Sequence, residues 1–325
     1  MNKTLKSVGR ILILVSVTAA GGAAAQTFPA KTVRLIVPFA PGGSTDITAR
    51  IVAQKLGEAW KQQVLVDNRS GAGGNIGAEA VARAAPDGYT LLLATTGVMS
   101  INMFLYKTLT YDAARDLAPV TQIGSLPLIL IVHPSLPAKS VKELIAIAKA
   151  KPGALTYASS GVGGATHMTA ELFRAMAGVD IVHVPYKGSG QAMVDLVAGQ
   201  VVVAFDQIVS SLPHVEAGKL RALAVTSGKR FESVAKLPTV AEAGVPGYEA
   251  VSWNGIAAPA ATPAAILTRV QADTARVLQL PDIKDRFSKD GIEPVGSTPE
   301  QFAAHVRSER EKWGKVVKTA GIQPN

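Results

Sequence analysis

Hydrophobic positions along this chain come in short, nearly unbroken runs, each followed by a stretch in which apolar residues recur at three- and four-residue intervals. The runs read as strands buried on both faces, and the periodic stretches as helices packed over them. The pattern predicts strands at 33–39, 64–67 and 89–94, with helices from about 45 to 60 and from the glycine-rich 71–74 to 85. A second series predicts strands at 155–158, 181–184 and 201–205, with helices at 166–177 and onward from Gly190 to 198. Between the two, 121–133 reads as two apolar segments broken by Pro127. Ser140, with Glu143 three residues on, forms a capping box, and Pro152-Gly153 ends the helix it opens. Beyond the second series lie a helix at 208–217, strands at 220–226 and 249–255, and a Pro/Gly-punctuated loop between those strands. Thr262-Pro263 and Thr298-Pro299 each read as an N-cap followed by proline at the first helical position. The helical tail they open is expected to pack back on one lobe.

The two series are copies of each other. Gly42-Gly43-Ser44-Thr45-Asp46 and the six residues after it align with Gly163-Gly164-Ala165-Thr166-His167 and its six followers, five of eleven positions being identical. Arg69 to Gly73 aligns with Tyr186 to Gly190, and Gly88 before 91–93 with Gly199 before 201–203. Three matches in one order imply two similar α/β lobes. Each lobe aims a strand, a glycine turn and a helix N-terminus at shared space, and the free N–H groups of such a turn suit an anion.

Composition narrows the setting. Lys3, Lys6 and Arg10, an apolar run over 11–20 and Ala23-Ala24-Ala25 read as a cleaved secretory signal peptide over 1–25. The leader holds three of the 33 basic residues and none of the 24 acidic ones, so the mature charge falls from +9 to +6. Basic residues are scattered, which argues against nucleic acid. With no cysteine there is neither a disulfide nor a lipid-modified anchor, so a soluble periplasmic protein without a membrane anchor is expected. About 300 mature residues favour two domains.

Motifs for chemistry are mostly missing. Gly71-Ala72-Gly73-Gly74-Asn75-Ile76 fails the dinucleotide pattern, the loop from Gly42 lacks the nucleotide P-loop ending, and no nucleophile elbow occurs. The five histidines lack metal-ligand spacing, so neither cofactor nor metal is expected. Asp46 and His167 at matched positions form a possible acid/base pair, but each also serves as an ordinary first-turn group, and that structural reading is preferred. Tyr186 and Lys187, presented by a loop stiffened by Pro185, are candidate carboxylate binders; Arg69 reads equally as a solvated charge. Thr95, Thr96 and Gly97, and Asp206 and Gln207, end matched strands, where ligand contact and helix capping are both open. Trp253 reads as hinge packing.

The motifs 37–46, 67–77, 86–91, 184–188, 237–244 and 258–263 resemble the substrate-binding receptors of tripartite tricarboxylate transporters, the Bug family. The resemblance covers nearly the whole mature chain. It implies an α/β, periplasmic-binding-protein-like (type II) fold with a ligand cleft between lobes at 26–124 plus 250–325 and at 125–249. It also implies a monomeric, non-enzymatic receptor that delivers a small carboxylate (a di- or tricarboxylate, acidic amino acid or aromatic acid) to a two-component membrane permease. Carried over by position, the ligand-binding residues are Phe39, Ala40, Gly42, Gly43, Ser44, Thr45, Asp46, Thr95 and Thr96 in lobe one. In lobe two they are Ser159, Gly161, Gly163, Thr166, His167, Tyr186, Lys187 and Asp206. The lobes are expected to rotate about crossover strands near 124–128 and 248–256. The alternatives are an exported hydrolase or transferase using His167 and Ser159, and a ligand-binding partner of a membrane sensor kinase.

Overall fold

A computed structural model describes residues 28–319 and 321–322. The leader read at 1–25 lies outside them. The strands are β1 (Val33–Val37), β2 (Val64–Asn68), β3 (Thr90–Thr95), β4 (Leu117–Val132), β5 (Thr156–Ser159), β6 (Val182–Pro185), β7 (Val203–Gln207), β8 (Arg221–Val225), β9 (Val251–Pro259) and β10 (Glu293–Pro294). The helices are α1 (Ser44–Trp60), α2 (Asn75–Ala82), α3 (Asn102–Leu105), α4 (Val141–Ala150), α5 (Ala165–Ala177), α6 (Ser189–Val197), α7 (Ile208–Glu216), α8 (Ala264–Leu278), α9 (Pro281–Lys289) and α10 (Pro299–Thr319).

Strand order explains the repeat. One half of the sheet runs β2-β1-β3-β9-β4, the first three strands parallel and the last two antiparallel to their neighbours. The other half runs β6-β5-β7-β4-β8 with the same pattern. Each parallel trio buries both faces under helices, which is why its strands read as unbroken apolar runs.

One long strand serves both halves. Residues 117–127 of β4 pair with β9, and 128–132 pair with β7 and β8. The sequence suggested a break at Pro127; the structure shows a single strand. Proline has no N–H to give a ladder, and Pro127 stands where β4 changes partners, so little pairing is lost there. Thr226 fastens the return crossing: its hydroxyl accepts from the Leu128 N–H at 2.9 Å, and its carbonyl accepts from the Ala250 N–H at 2.9 Å.

Two other expectations change. Thr262 does not cap α8: Pro263 is the N-cap residue, and the buried Thr262 hydroxyl has no partner. Thr298 does cap α10, in a reciprocal exchange with Gln301. That helix also reaches beyond one half. Phe302 and Val306 join the cluster around Trp253, whereas Trp313 and Val317 join the cluster containing Leu128, Phe173 and Tyr248.

Candidate ligand-binding site

The two glycine turns are built alike. Gly42 and Gly163 have φ of 83° and 79°, a left-handed conformation that costs glycine little. Each turn is then closed by the side chain four residues on. Asp46 Oδ2 accepts the Gly42 N–H at 3.0 Å, and His167 Nδ1 accepts the Gly163 N–H at 3.2 Å. Both side chains are buried and turned inward, so the two do not meet as an acid/base pair. Asp46 also receives Arg50 Nε and Asn68 Nδ2. Burial pushes its carboxyl up, but these donors and the Gly42 N–H hold it below its ordinary range.

His167 belongs to a buried network that sequence reading missed. It stacks on His183 at 4.1 Å, which stacks on Tyr157 at 4.9 Å. The Tyr157 hydroxyl donates to Glu171, which Arg174 also clamps. Ser159 Oγ pairs with His183 Nε2 at 2.6 Å, not with His167. Burial, with Arg174 adding, lowers His167 to about 4; burial, with His167 adding, lowers His183 to about 3.

The halves meet around a small polar cavity. Ser44 Oγ donates to Gln207 Oε1 at 2.9 Å, the Ala40 N–H donates to the Lys187 carbonyl at 3.0 Å, and the Tyr106 hydroxyl donates to the Val162 carbonyl at 3.0 Å. Beside the Ser44–Gln207 contact lies a cavity of about 20 Å³, room for roughly one water-sized group. From the first half it is lined by Phe39, Gly43, Ser44, Thr45 and Thr95, with Ser252 and Asn254 from β9. From the second half come Ser160, Ala165, Ser189 and Gln207. No Lys, Arg or His lines it. Instead α1, α5, α6 and α7 begin there, with N-cap residues Gly43, Gly164, Gly188 and Gln207, and none of these helices has a side-chain cap. Their free N–H groups and partial positive charge suit an anion.

A larger cavity of about 560 Å³ lies against the crossing strands, between Glu249 and Lys229 on one side and His305 and Lys312 on the other. Ser252 borders both cavities, but none of the α-helices begins at the larger one. The small cavity is therefore the chemically distinctive site.

Several carried-over residues sit apart from it. The Tyr186 hydroxyl donates to Asp195, and Lys187 points its exposed side chain outward while its carbonyl bridges to Ala40. Gly42, Asp46, Ser159, Gly161, Gly163, Thr166 and His167 shape the turns from outside the lining. Thr166 Oγ1 accepts the Ser160 N–H, and Thr96 Oγ1 accepts the Trp253 N–H. Trp253 is buried against Phe302. Asp206 lies behind the cavity, its Oδ1 accepting from Ser189 Oγ and the Gln207 N–H; burial pushes its carboxyl up to about 6. Gln207, which ends β7 beside Asp206, does line the cavity; Ser189, Ser252 and Asn254 were missed. For the last two a signal existed: polar residues two apart in an apolar strand share one face.

A two-lobed α/β fold that gathers helix N-termini around an enclosed polar site defines a solute-binding protein. The chain belongs to the tripartite tricarboxylate transporter family of receptors: the model for "Tripartite tricarboxylate transporter family receptor" matches residues 48–322. It is 37% identical over 324 residues to Protein BugT of Bordetella pertussis, covering 99% of each chain. Among solved structures it is similar to R. palustris Rpa4515 with adipate, with TM-score 0.90 and 43% identity, covering 92% of this chain and 100% of that one. It is also similar to MatC from Rhodopseudomonas palustris with bound malate, with TM-score 0.86 and 33% identity, covering 89% and 100%. The family consists of receptors, not enzymes. Among the described residues, no helix is long and apolar enough to cross a membrane.

Proposed function

We propose that this chain is a periplasmic receptor that binds a small carboxylate between its lobes and delivers it to a two-component membrane permease. The lobes comprise 26–124 with 250–325, and 125–249, joined by crossover strands near 124–128 and 248–256. The mature protein acts as a soluble monomer without a lipid anchor. The observation that carries the reading is the convergence of four uncapped helix N-termini on one enclosed cavity lined by neutral donors. Such donors hold an anion without a fixed cation. The adipate and malate of the two similar structures support a carboxylate.

The cavity is smaller than any dicarboxylate, so the lobes must part to admit one and close around it less tightly than they stand here. Binding then shifts the open–closed equilibrium by the ligand's preference for the closed form. A thermal-shift screen of refolded, ligand-free mature protein against mono-, di- and tricarboxylates and acidic amino acids tests the reading. A ligand at 100 Kd stabilises by about 2.7 kcal/mol, which raises the melting temperature by several degrees. If no carboxylate moves the transition, the reading fails.

A further inference from the structure

The larger cavity lies behind the crossing strands, away from the converging helices. Ser252 and Asn254 of β9 line the small cavity, and alternation along a strand sends Trp253, between them, to the opposite face. There Phe302 and His305 of α10 pack against it. The space behind holds about 560 Å³, within the roughly 300–1,000 Å³ of small-molecule sites. Its walls come from Lys229 and Phe231 after β8, Glu249 before β9, Glu293 of β10 and His305 of α10.

This lining carries bonding capacity that the protein does not use. Of the three tryptophans, Trp60 donates its indole N–H to Asp273 and Trp313 donates to Glu309. Trp253 lines the cavity at 1% exposure, and its N–H has no acceptor. His305 Nε2 is buried beside it, also without a partner. A buried donor left unpaired is costly. Charge at the mouth is unmatched too. Glu309 is held by Trp313 and Lys312, but Glu249, Glu293 and Lys229 are exposed and form no ion pair with a described residue. The Glu249 carboxylate lies over Gly228, where a Cβ would stand 2.9 Å from its Oε2.

A lone anion entering here would meet two uncompensated carboxylates, and a lone cation would leave the Trp253 N–H unpaired. A molecule with both ends satisfies both demands. Its carboxylate accepts from Trp253 and Lys229, and its ammonium donates to Glu249 and Glu293. We infer that the cavity behind the crossing strands is a second ligand site, which takes a free, zwitterionic amino acid. Lying on the opposite face of β9, it fills or stays empty separately from the site among the helix N-termini.

The three indole N–H signals in ¹H–¹⁵N spectra of mature protein provide the test, with the Trp253 signal assigned by its loss in Trp253→Phe. Alanine, leucine and phenylalanine are titrated to millimolar concentration, each beside its deaminated and its decarboxylated analogue. At least one amino acid should move the Trp253 signal downfield and saturably, whereas its two analogues, each lacking one end, bind at least tenfold more weakly. Glu249→Gln combined with Glu293→Gln, two changes at exposed positions, should weaken that amino acid at least tenfold. Ser44→Ala, in the other cavity, should leave its affinity unchanged. A Trp253 signal that no amino acid moves, that an analogue moves equally, or that still moves with undiminished affinity in the double variant overturns the inference. Each of those results leaves the carboxylate-receptor reading standing, since that reading is decided by the carboxylate screen.

Discussion

Asp46 and His167 do the same work in opposite lobes. Each accepts the N–H four residues upstream, from Gly42 and from Gly163, and so closes the glycine turn in front of its helix. The chemistry of the acceptor differs, and the two turns therefore respond to acid in different ranges. His167 falls from 6.5 unfolded to about 4 folded through burial, with Arg174 adding. Between those values the unfolded chain binds more protons, so stability present above pH 6.5 is lost as pH falls toward 4. Asp46, held below 3.8 in the fold, contributes stability that is lost only as pH falls below that value. Urea unfolding at pH 7, 6 and 5 should show a loss to which His167 contributes about 1.4 kcal/mol per pH unit at most. His167→Asn should flatten the profile without abolishing it, because His183 is lowered in the same direction. An equally steep profile in the variant would assign the slope elsewhere.

The matched threonines separate cleanly. Thr166 Oγ1 accepts the Ser160 N–H at 2.8 Å and pairs with Ser160 Oγ, so it holds its own turn together. Thr45 lines the cavity instead. Thr166→Val should therefore cost about 1–3 kcal/mol of unfolding free energy through the orphaned groups it leaves. Thr45→Val should leave stability nearly unchanged and weaken ligand binding by about tenfold, the loss of one hydrogen bond to a charged group. Calorimetric unfolding and titration of both variants would show the split; identical behaviour would mean that both threonines are purely structural.

Ser44 and its counterpart Ala165 break the symmetry of the repeat. Only serine can make the bond that crosses to Gln207. Losing that bond in Ser44→Ala should shift the open–closed equilibrium by about 0.5–1.5 kcal/mol toward open. Faster ligand release in stopped-flow, with a larger radius of gyration in the ligand-free protein, is the expected outcome. Unchanged release would leave the crossing bond without a part in closure.

The repeat placed both glycine turns and three of the four converging helices, because spacing alone records which segments share a fold. It did not reveal which side of a loop a side chain takes. Tyr186 and Lys187 stand where the alignment puts them, yet Asp195 draws the tyrosine hydroxyl away and the lysine side chain faces solvent. Nor did it expose contacts distant in sequence, such as Asn254 beside Thr95 or the stacking of His183 on His167. Pro127 misled for a related reason: a proline's effect on a strand depends on whether a partner strand needs its N–H, and here the partner changes at that point.

Gly97 offers the sharpest test of closure. A methyl at its α-carbon would lie 2.9 Å from the Gly163 carbonyl oxygen and 3.5 Å from Gly164 Cα, both on the opposing turn. No nearby atom of its own lobe comes as close, and its φ lies outside the left-handed range, so alanine strains nothing locally. Backbone on the far side cannot yield as a flexible side chain would. Gly97→Ala should therefore unfold like the wild type while failing to reach the closed form, with ligand affinity reduced tenfold or more. Small-angle scattering with and without ligand should show the wild type contracting and the variant holding its open dimensions. Equal contraction and equal affinity would mean that the turns at 97 and 163 do not approach each other when ligand is bound.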